Sequence, residues 1–287
     1  MPRKSSALVV CLLLGFVAFS QTNFQEDFRF LKHLEGLEEW QEGLLLLTQL
    51  EPQAISSGRA DTLNFFKGKF TYKSKQPEAS VEAFRLVNES NLEYYRYARF
   101  FGAFQSAYTG NVSSATDFLN AYQPEDSLSI RIKNLQLAGL NLMNRDYTSY
   151  LDRQSQFTLN YELEPYEQGM MERYNDLQAY KKKSPFVAGL MSAIVPGAGR
   201  FYMGKPGQGI AAFFVTGVFG LQAWEGYRKD GPDSARFIIF GSLFTISHVA
   251  NIWGSALGVR IRREEFNDQM NASILLDMHI PLRVLVD

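Results

Sequence analysis

The composition of the chain changes abruptly after Lys183, and this change limits the possible folds more than any other feature. Apolar and glycine residues follow, and two stretches, 209–224 and 235–256, come near the 17–25 apolar residues that a helix needs to cross a bilayer. The link between them, 225–233, is charged and contains glycine and proline, as is typical of a loop outside the membrane. The sequence therefore predicts a transmembrane helical hairpin within a membrane module at 181–267.

The N-terminus has the layout of an export signal. A basic start at 1–4 precedes an apolar stretch at 7–19, and small residues occupy the positions that signal peptidase requires. We predict a signal peptide at 1–20, cleaved before Gln21. An uncleaved anchor is the alternative, and both would export the segment that follows. Cys11, within the signal, is the only cysteine of the chain, so the mature protein would contain no thiol.

Export creates a difficulty for the membrane topology. Two spans would return Arg260, Arg262 and Arg263 to the exported side, although positively charged residues usually stay in the cytoplasm. A third crossing would remove the conflict. The stretch 186–195 is apolar, but it is short for a span and better suited to a re-entrant or interfacial segment within 186–199. We prefer two spans and keep three as the alternative.

A glycine-rich motif precedes the first predicted span. Pro196, Gly197, Gly199 and Tyr202 form the pattern Pro-Gly-x-Gly-x-x-Tyr, and the second span ends in Asn251-Ile-Trp-Gly-Ser. These features resemble a family of short two-span bacterial membrane domains that has no assigned activity. The resemblance implies the topology of the module but no chemistry.

Two questions about this module stay open. Glycine-rich turns can present backbone amides to a phosphate, but the Walker pattern and the dinucleotide-binding spacing are both missing, and a bend of the chain at the bilayer surface explains the glycines. His248 and Asn251 share one helical face of the second span, and polar residues at membrane depth suggest a function. A helix-packing hydrogen bond is the alternative for His248.

Within the stretch 21–180, four positions in the middle of the chain recur with an offset of 34 residues, and the units on either side match less closely. The first copy comprises Gly68, Ser80, Phe84 and Val87, and the second comprises Gly102, Ser114, Phe118 and Ala121. Small residues at such positions let the two helices of a hairpin cross closely. The segment resembles a tetratricopeptide repeat array, which implies an all-α solenoid of three to four helical hairpins. A final helix at about 165–180 would cap it.

Such arrays usually offer a concave groove to a peptide or protein. Four aromatic residues are candidates for lining it: Tyr94, Tyr95, Tyr97 and Tyr108. Aromatic residues at helical spacing also form core and inter-repeat contacts, which is the alternative at each position. The C-terminal tail, 268–287, ends in an apolar segment at 274–286 without clear periodicity, and a short strand and a docked tail both stay possible.

Composition and motifs exclude several classes of function. The chain has 29 basic and 30 acidic residues, so it lacks the basic surface that nucleic-acid binding requires. Its three histidines are far apart in sequence, which argues against a metal site. We also find no nucleophile with a base at motif spacing. The sequence therefore predicts no catalytic residue, cofactor or metal ligand.

Two hypotheses for function follow. In the first, the chain is a non-enzymatic scaffold in a bacterial membrane, the inner one, with its repeats on the periplasmic side holding another envelope protein or peptide. Membrane lipid would be its other partner. In the second, it is a subunit of a membrane-embedded enzyme or transporter, with a small site lined by Gly199, Arg200, Tyr202, His248 and Asn251.

Overall fold

The regular structure of the described chain is entirely helical, so the predicted all-α fold class is confirmed. The computed structural model describes three stretches, residues 24–56, 58–159 and 162–285. The predicted signal peptide at 1–20 lies outside the described residues.

The chain divides into two compact units. The repeat unit comprises the described residues up to Tyr174 and those from Ile274 onward. The membrane unit is Asn175–Ser273. The repeat unit is therefore built from segments that lie on both sides of the membrane unit in the sequence.

Eight helices of the repeat unit form four consecutive hairpins, and each hairpin packs on the next. The hairpins are α1 (Phe24–Gly36) with α2 (Trp40–Ser56), α3 (Ala60–Lys73) with α4 (Pro77–Arg85), α5 (Leu92–Tyr108) with α6 (Val112–Asn120), and α7 (Ser127–Met143) with α8 (Tyr147–Gln154). Helix α9 (Glu164–Ala179) follows them, and the unit boundary falls within it.

The turn inside each hairpin has the same backbone geometry. In each turn one residue has a left-handed backbone conformation. These residues are Glu38 (φ 59°), Lys75 (φ 58°), Gly110 (φ 83°) and Arg145 (φ 59°). The residue after each of them donates its amide to a carbonyl five positions earlier, as from Asn111 to Ser106 at 2.8 Å. This pairing satisfies carbonyls at the end of the first helix and reverses the chain. The four turns therefore mark four structurally equivalent hairpins.

The 34-residue recurrence has a packing cause. A Cβ atom on Gly68 would lie 2.4 Å from the ring of Phe84, and one on Gly102 would lie 2.5 Å from the ring of Phe118. Both phenylalanines are buried. In each of these hairpins the second helix thus presses an aromatic ring onto a glycine of the first helix, where a larger residue would hold the helices apart.

The membrane unit contains a short helical turn between longer helices. Its elements are α10 (Pro185–Ile194), α11 (Ala198–Tyr202), α12 (Pro206–Asp230) and the greater part of α13 (Ala235–His279). A 3-10 helix, Ile280–Leu285, ends the described chain and belongs to the repeat unit.

Helix α13 is the one described helix that is long and apolar enough to cross a membrane. Only 6% of its apolar stretch is buried within the protein. Helix α12 has 25 residues, but it does not reach the same apolar character. At 1.5 Å per residue it still has the length of a bilayer span.

Candidate functional site

The Pro-Gly motif forms a tight turn between α10 and α11. Ala198 donates its amide to the carbonyl of Val195 at 3.0 Å, which places Pro196 and Gly197 at the two central positions of a β-turn. Gly197 has φ 88° and ψ −14°, the conformation that a type II turn requires at its third residue. The motif begins with Pro-Gly because proline favours the second position and glycine the third.

The two glycines of the motif also lie against neighbouring backbone. A Cβ atom on Gly197 would lie 2.1 Å from the carbonyl oxygen of Gly209, and one on Gly199 would lie 2.0 Å from that of Ala188. The amide of Gly199 donates to Ser192 Oγ at 3.0 Å. These residues hold the start of α12 and the middle of α10 against the turn, and this is a structural role.

Tyr202 closes the motif against the start of α10. Its hydroxyl accepts a hydrogen bond from the amide of Ser184 at 3.2 Å, and Lys183 donates to its carbonyl at 2.5 Å. Arg262 donates to the carbonyl of Met203, and Arg263 to that of Lys183. Arg262 and Arg263 therefore connect α13 to the end of α11 and to the residues just before α10. Sequence reasoning missed this role because the partners are carbonyls far away in sequence.

His248 and Asn251 share a helical face, but they have different surroundings. His248 Nε2 lies 3.2 Å from the carbonyl oxygen of Ala193 on α10, and its ring stacks on Phe244. This contact supports the helix-packing alternative. Asn251 instead lines a cavity next to α12.

This cavity has a volume of about 400 Å³ and is lined by both polar and apolar residues. Its lining consists of Arg200, Gln208, Ala211, Ala212, Val215, Thr216, Ser247, Ala250 and Asn251. Asn251 is only 4% exposed, and neither atom of its side-chain amide has a hydrogen-bond partner among the described residues. Arg200 donates from Nη1 to Gln208 Oε1 at 3.3 Å, while its buried Nε has no described partner. Of the five residues suggested for a membrane site, the structure brings Arg200 and Asn251 into one cavity.

Each of the four candidate tyrosines on the repeats packs beside another aromatic ring, but they differ in exposure. Tyr94 stacks on Phe65, with ring centroids 4.1 Å apart. Tyr95 and Tyr97 are each 6% exposed, and burial raises the pKa of Tyr97 far above its usual value. The expectation that Tyr95 and Tyr97 line an open groove is corrected, because their rings are buried between helices. Tyr94 is half-buried. Tyr108 is 61% exposed.

The repeat unit has a groove that holds the C-terminal segment of the chain, 274–285. Ile274, Met278 and Leu282 of this segment are fully buried. Contacts come from the first helices of three successive hairpins: Tyr72 on α3 and Phe104 on α5, both with His279, and Gly139 on α7, with Met278. We call this surface the repeat groove.

Sequence reasoning left a strand and a docked tail open for this segment, and the structure has a docked helix that ends in a 3-10 turn. The buried residues Ile274, Met278 and Leu282 follow one another at intervals of four, which is a helical spacing. The stripe is masked in the sequence because Leu275 and Leu276 between them are also apolar.

Two titratable residues of the segment have shifted pKa values. Burial raises the pKa of Asp277 to about 6, a shift that Glu172 reinforces and Arg173 opposes. Burial also lowers the pKa of His279, with help from the charges of Arg283 and Lys73. Docking of the segment therefore favours a protonated Asp277 and a neutral His279.

Comparison with known proteins bears on the membrane unit. Residues 181–225 match the family model of the TM2 domain. The match spans α10, α11 and most of α12, the helices around the Pro-Gly motif, and does not extend to the repeats. Together with the apolar helix α13 it marks this part of the chain as a membrane-associated domain. Searches of curated proteins and of solved structures returned no significant match.

Proposed function

We propose that the protein is a membrane-anchored scaffold of the bacterial cell envelope, whose repeats hold another envelope protein without catalysis of their own. The observation that carries this proposal is the repeat groove, in which three successive first helices hold the apolar side of segment 274–285. A groove that receives the apolar face of a helix is a common mode of peptide recognition.

The partner would bind at the exposed border of the repeat groove. Tyr108 is exposed and lies beside Phe104, with ring centroids 6.3 Å apart. Phe104 stacks in turn on His279 of the docked segment. Because tyrosine offers a large apolar ring and a hydroxyl at low entropic cost, it is a frequent anchor of protein interfaces.

For the membrane anchor we propose two crossings, α12 and α13. The repeat unit contains residues from before and after the membrane unit. This composition supports a placement of both ends of the membrane unit on the same side of the bilayer, and therefore an even number of crossings. The exposed aromatic residues Trp224 and Tyr227 lie near the end of α12, where an interfacial position suits their amphipathic rings.

For the orientation we propose that the repeats lie on the periplasmic side of the inner membrane. The N-terminal signal is the basis, since long domains translocate largely regardless of their charge and the first apolar segment usually dominates topology. The basic residues near Arg262 would then lie on the exported side, where their hydrogen bonds to backbone carbonyls give them a structural role.

Site-specific photocrosslinking of the full-length protein in cells tests the scaffold proposal. A photoreactive residue at Tyr108 should give one discrete adduct with another polypeptide. The control is the same residue at Leu221 on α12, which is 70% exposed and should meet only lipid. A protein adduct at Leu221 and none at Tyr108 would contradict the proposal.

That reversed result would favour the second candidate function, a subunit of a membrane-embedded enzyme or transporter. The observation on its side is the cavity that contains Arg200 and the unpaired amide of Asn251. The two candidates also differ in tolerance, since the second predicts that substitutions at the surface of the repeats leave activity intact.

A further inference from the structure

The amide of Asn251 is a buried polar group without a described partner. Buried polar atoms are nearly always hydrogen-bonded, because leaving water without a replacement bond is unfavourable. The penalty is greater in a helix that lies in lipid, where no solvent can substitute. A ligand in the cavity beside Asn251 would therefore be favoured, because it would supply a hydrogen bond to the buried amide.

The charge in this cavity comes from Arg200. None of the described ion pairs includes Arg200, and its buried Nε has no described partner. Its Nη1 bonds only to the neutral side chain of Gln208, and its Nη2 lies 3.4 Å from the Cβ position of Gly254 on α13. A guanidinium group whose charge is not balanced pairs most favourably with a planar or tetrahedral anion, and binds phosphate through two parallel hydrogen bonds.

The remaining lining combines polar and apolar groups. Thr216 and Ser247 add hydroxyls, and Ala211, Ala212 and Val215 provide an apolar wall on α12. Arg200 and Gln208 flank the start of α12 at Pro206, which under the two-crossing topology is the end of a span. Lipid headgroups lie at this depth, and acyl chains lie beyond it.

We propose that this cavity binds a phosphate group, and that the group belongs to the headgroup of an anionic phospholipid. Arg200 donates to the phosphate oxygens, and the Asn251 amide donates a further hydrogen bond. The apolar wall of α12 contacts the first part of an acyl chain. This site does not depend on a protein partner of the repeats, so it stands or falls independently of the scaffold function.

Native mass spectrometry of the full-length protein in detergent tests the proposal. The protein should retain added phosphatidylglycerol and bind it more tightly than phosphatidylcholine. Arg200→Gln should weaken phosphatidylglycerol binding about tenfold, the loss expected for one charged hydrogen-bonded pair. The matched control is Arg228→Gln, an exposed arginine near the other end of α12, which should bind like the wild type.

Asn251→Leu separates a ligand-binding role from a packing role. If the amide serves the phosphate, this substitution should raise the Tm of the detergent-solubilised protein and still weaken lipid binding. Unchanged phosphatidylglycerol binding in both Arg200→Gln and Asn251→Leu would overturn the proposal. Equal losses in Arg200→Gln and Arg228→Gln would overturn it too, because they would indicate attraction to any surface charge.

A second arm identifies the source of the phosphate. Inorganic phosphate is added to the wild type and to Arg200→Gln in place of lipid, and the Tm is measured. A rise in Tm that requires Arg200 would support phosphate recognition and overturn the assignment to lipid if phosphatidylglycerol then gave no further rise. A response to phosphatidylglycerol alone would support the lipid headgroup.

Discussion

Gly197 and Gly110 both have a positive φ, of 88° and 83°, but different surroundings. A Cβ atom on Gly197 would strike the carbonyl oxygen of Gly209, whereas no described atom lies within 4 Å of the Cβ position of Gly110. The positive φ alone costs a side chain about 1–2 kcal/mol. The additional contact with backbone makes Gly197 a position that tolerates no other residue.

These two glycines give a matched pair of substitutions. Gly110→Ala should lower the Tm of the detergent-solubilised protein only slightly, because strain of about 1 kcal/mol is its one cost and the equivalent turns hold non-glycine residues at this position. Gly197→Ala should prevent the turn from forming and reduce the yield of folded protein severely. Thermal unfolding and size-exclusion chromatography measure both effects. Equal behaviour of the two variants would show that close approach to Gly209 is unimportant.

At the residue scale, Asp277 also makes the stability of the protein depend on pH. Its folded-state pKa of about 6 lies above the usual value, so the folded state holds the proton more tightly than the unfolded chain. Its contribution to stability is therefore present at low pH and is lost as pH rises from about 4 to 6. Asp277→Asn keeps the shape and removes this loss.

At pH 7.5 we expect the Tm of Asp277→Asn to exceed that of the wild type by about 2–4 °C, the effect of ~1 kcal/mol in a chain of this size. The difference should shrink as pH falls below 5. His279 contributes the opposite pH dependence, and comparing the two proteins at each pH cancels its effect. A difference that is constant with pH would rule out Asp277 as the titrating group.

At the scale of elements, the repeat groove is occupied by segment 274–285 of the same chain. Met278 lies on the buried side of the segment, whereas Leu276 lies on the other side and is 56% exposed. An amphipathic segment that packs along one stripe gains its stability from that stripe alone. Docking of the segment should therefore be sensitive to substitution of Met278 and insensitive to substitution of Leu276.

Met278→Glu and Leu276→Glu test this difference. A carboxylate at 278 would be buried beside Gly139 and should release the segment, whereas at 276 it would reach solvent. Limited trypsin digestion after Arg283 measures release, and we expect cleavage to accelerate about tenfold or more in Met278→Glu only. Similar cleavage rates in both variants would mean that the segment is not held through its buried side.

At the scale of the whole molecule, an even number of crossings fixes which parts of the chain share a side of the membrane. Glu125 in the repeats and Glu264 after the apolar part of α13 should lie on one side, and Asp233 in the link between α12 and α13 should lie on the other. All three residues are exposed. The native chain has a single cysteine, Cys11, so introduced cysteines can be labelled selectively once it is replaced by serine.

Labelling with a membrane-impermeant maleimide should modify Glu125→Cys and Glu264→Cys in intact cells and leave Asp233→Cys unmodified until the membrane is opened. Labelling of Asp233→Cys alone in intact cells would agree with two crossings but would contradict a periplasmic position of the repeats. Labelling of Glu125→Cys and Glu264→Cys from opposite sides would require an odd number of crossings, and would contradict the anchor we propose.

The sequence by itself determined the properties that depend on neighbouring residues. Apolar composition after Lys183 indicated a membrane module, and the spacing of Gly68 and Phe84 against Gly102 and Phe118 indicated helical hairpins. The Pro-Gly turn was predictable for the same reason, because proline and glycine restrict the backbone locally.

Only the tertiary structure decided which residues meet across long sequence separations. It buried Tyr95 and Tyr97 but exposed Tyr108, and it docked segment 274–285 on hairpins that begin at Ala60, Leu92 and Ser127. It also gave His248 and Asn251 different surroundings. The sequence pattern around an aromatic residue or an asparagine is the same whether its side chain faces a helix, a cavity or solvent. The role of the side chain is set by the partner that folding brings to it, and that partner is not encoded nearby in the sequence.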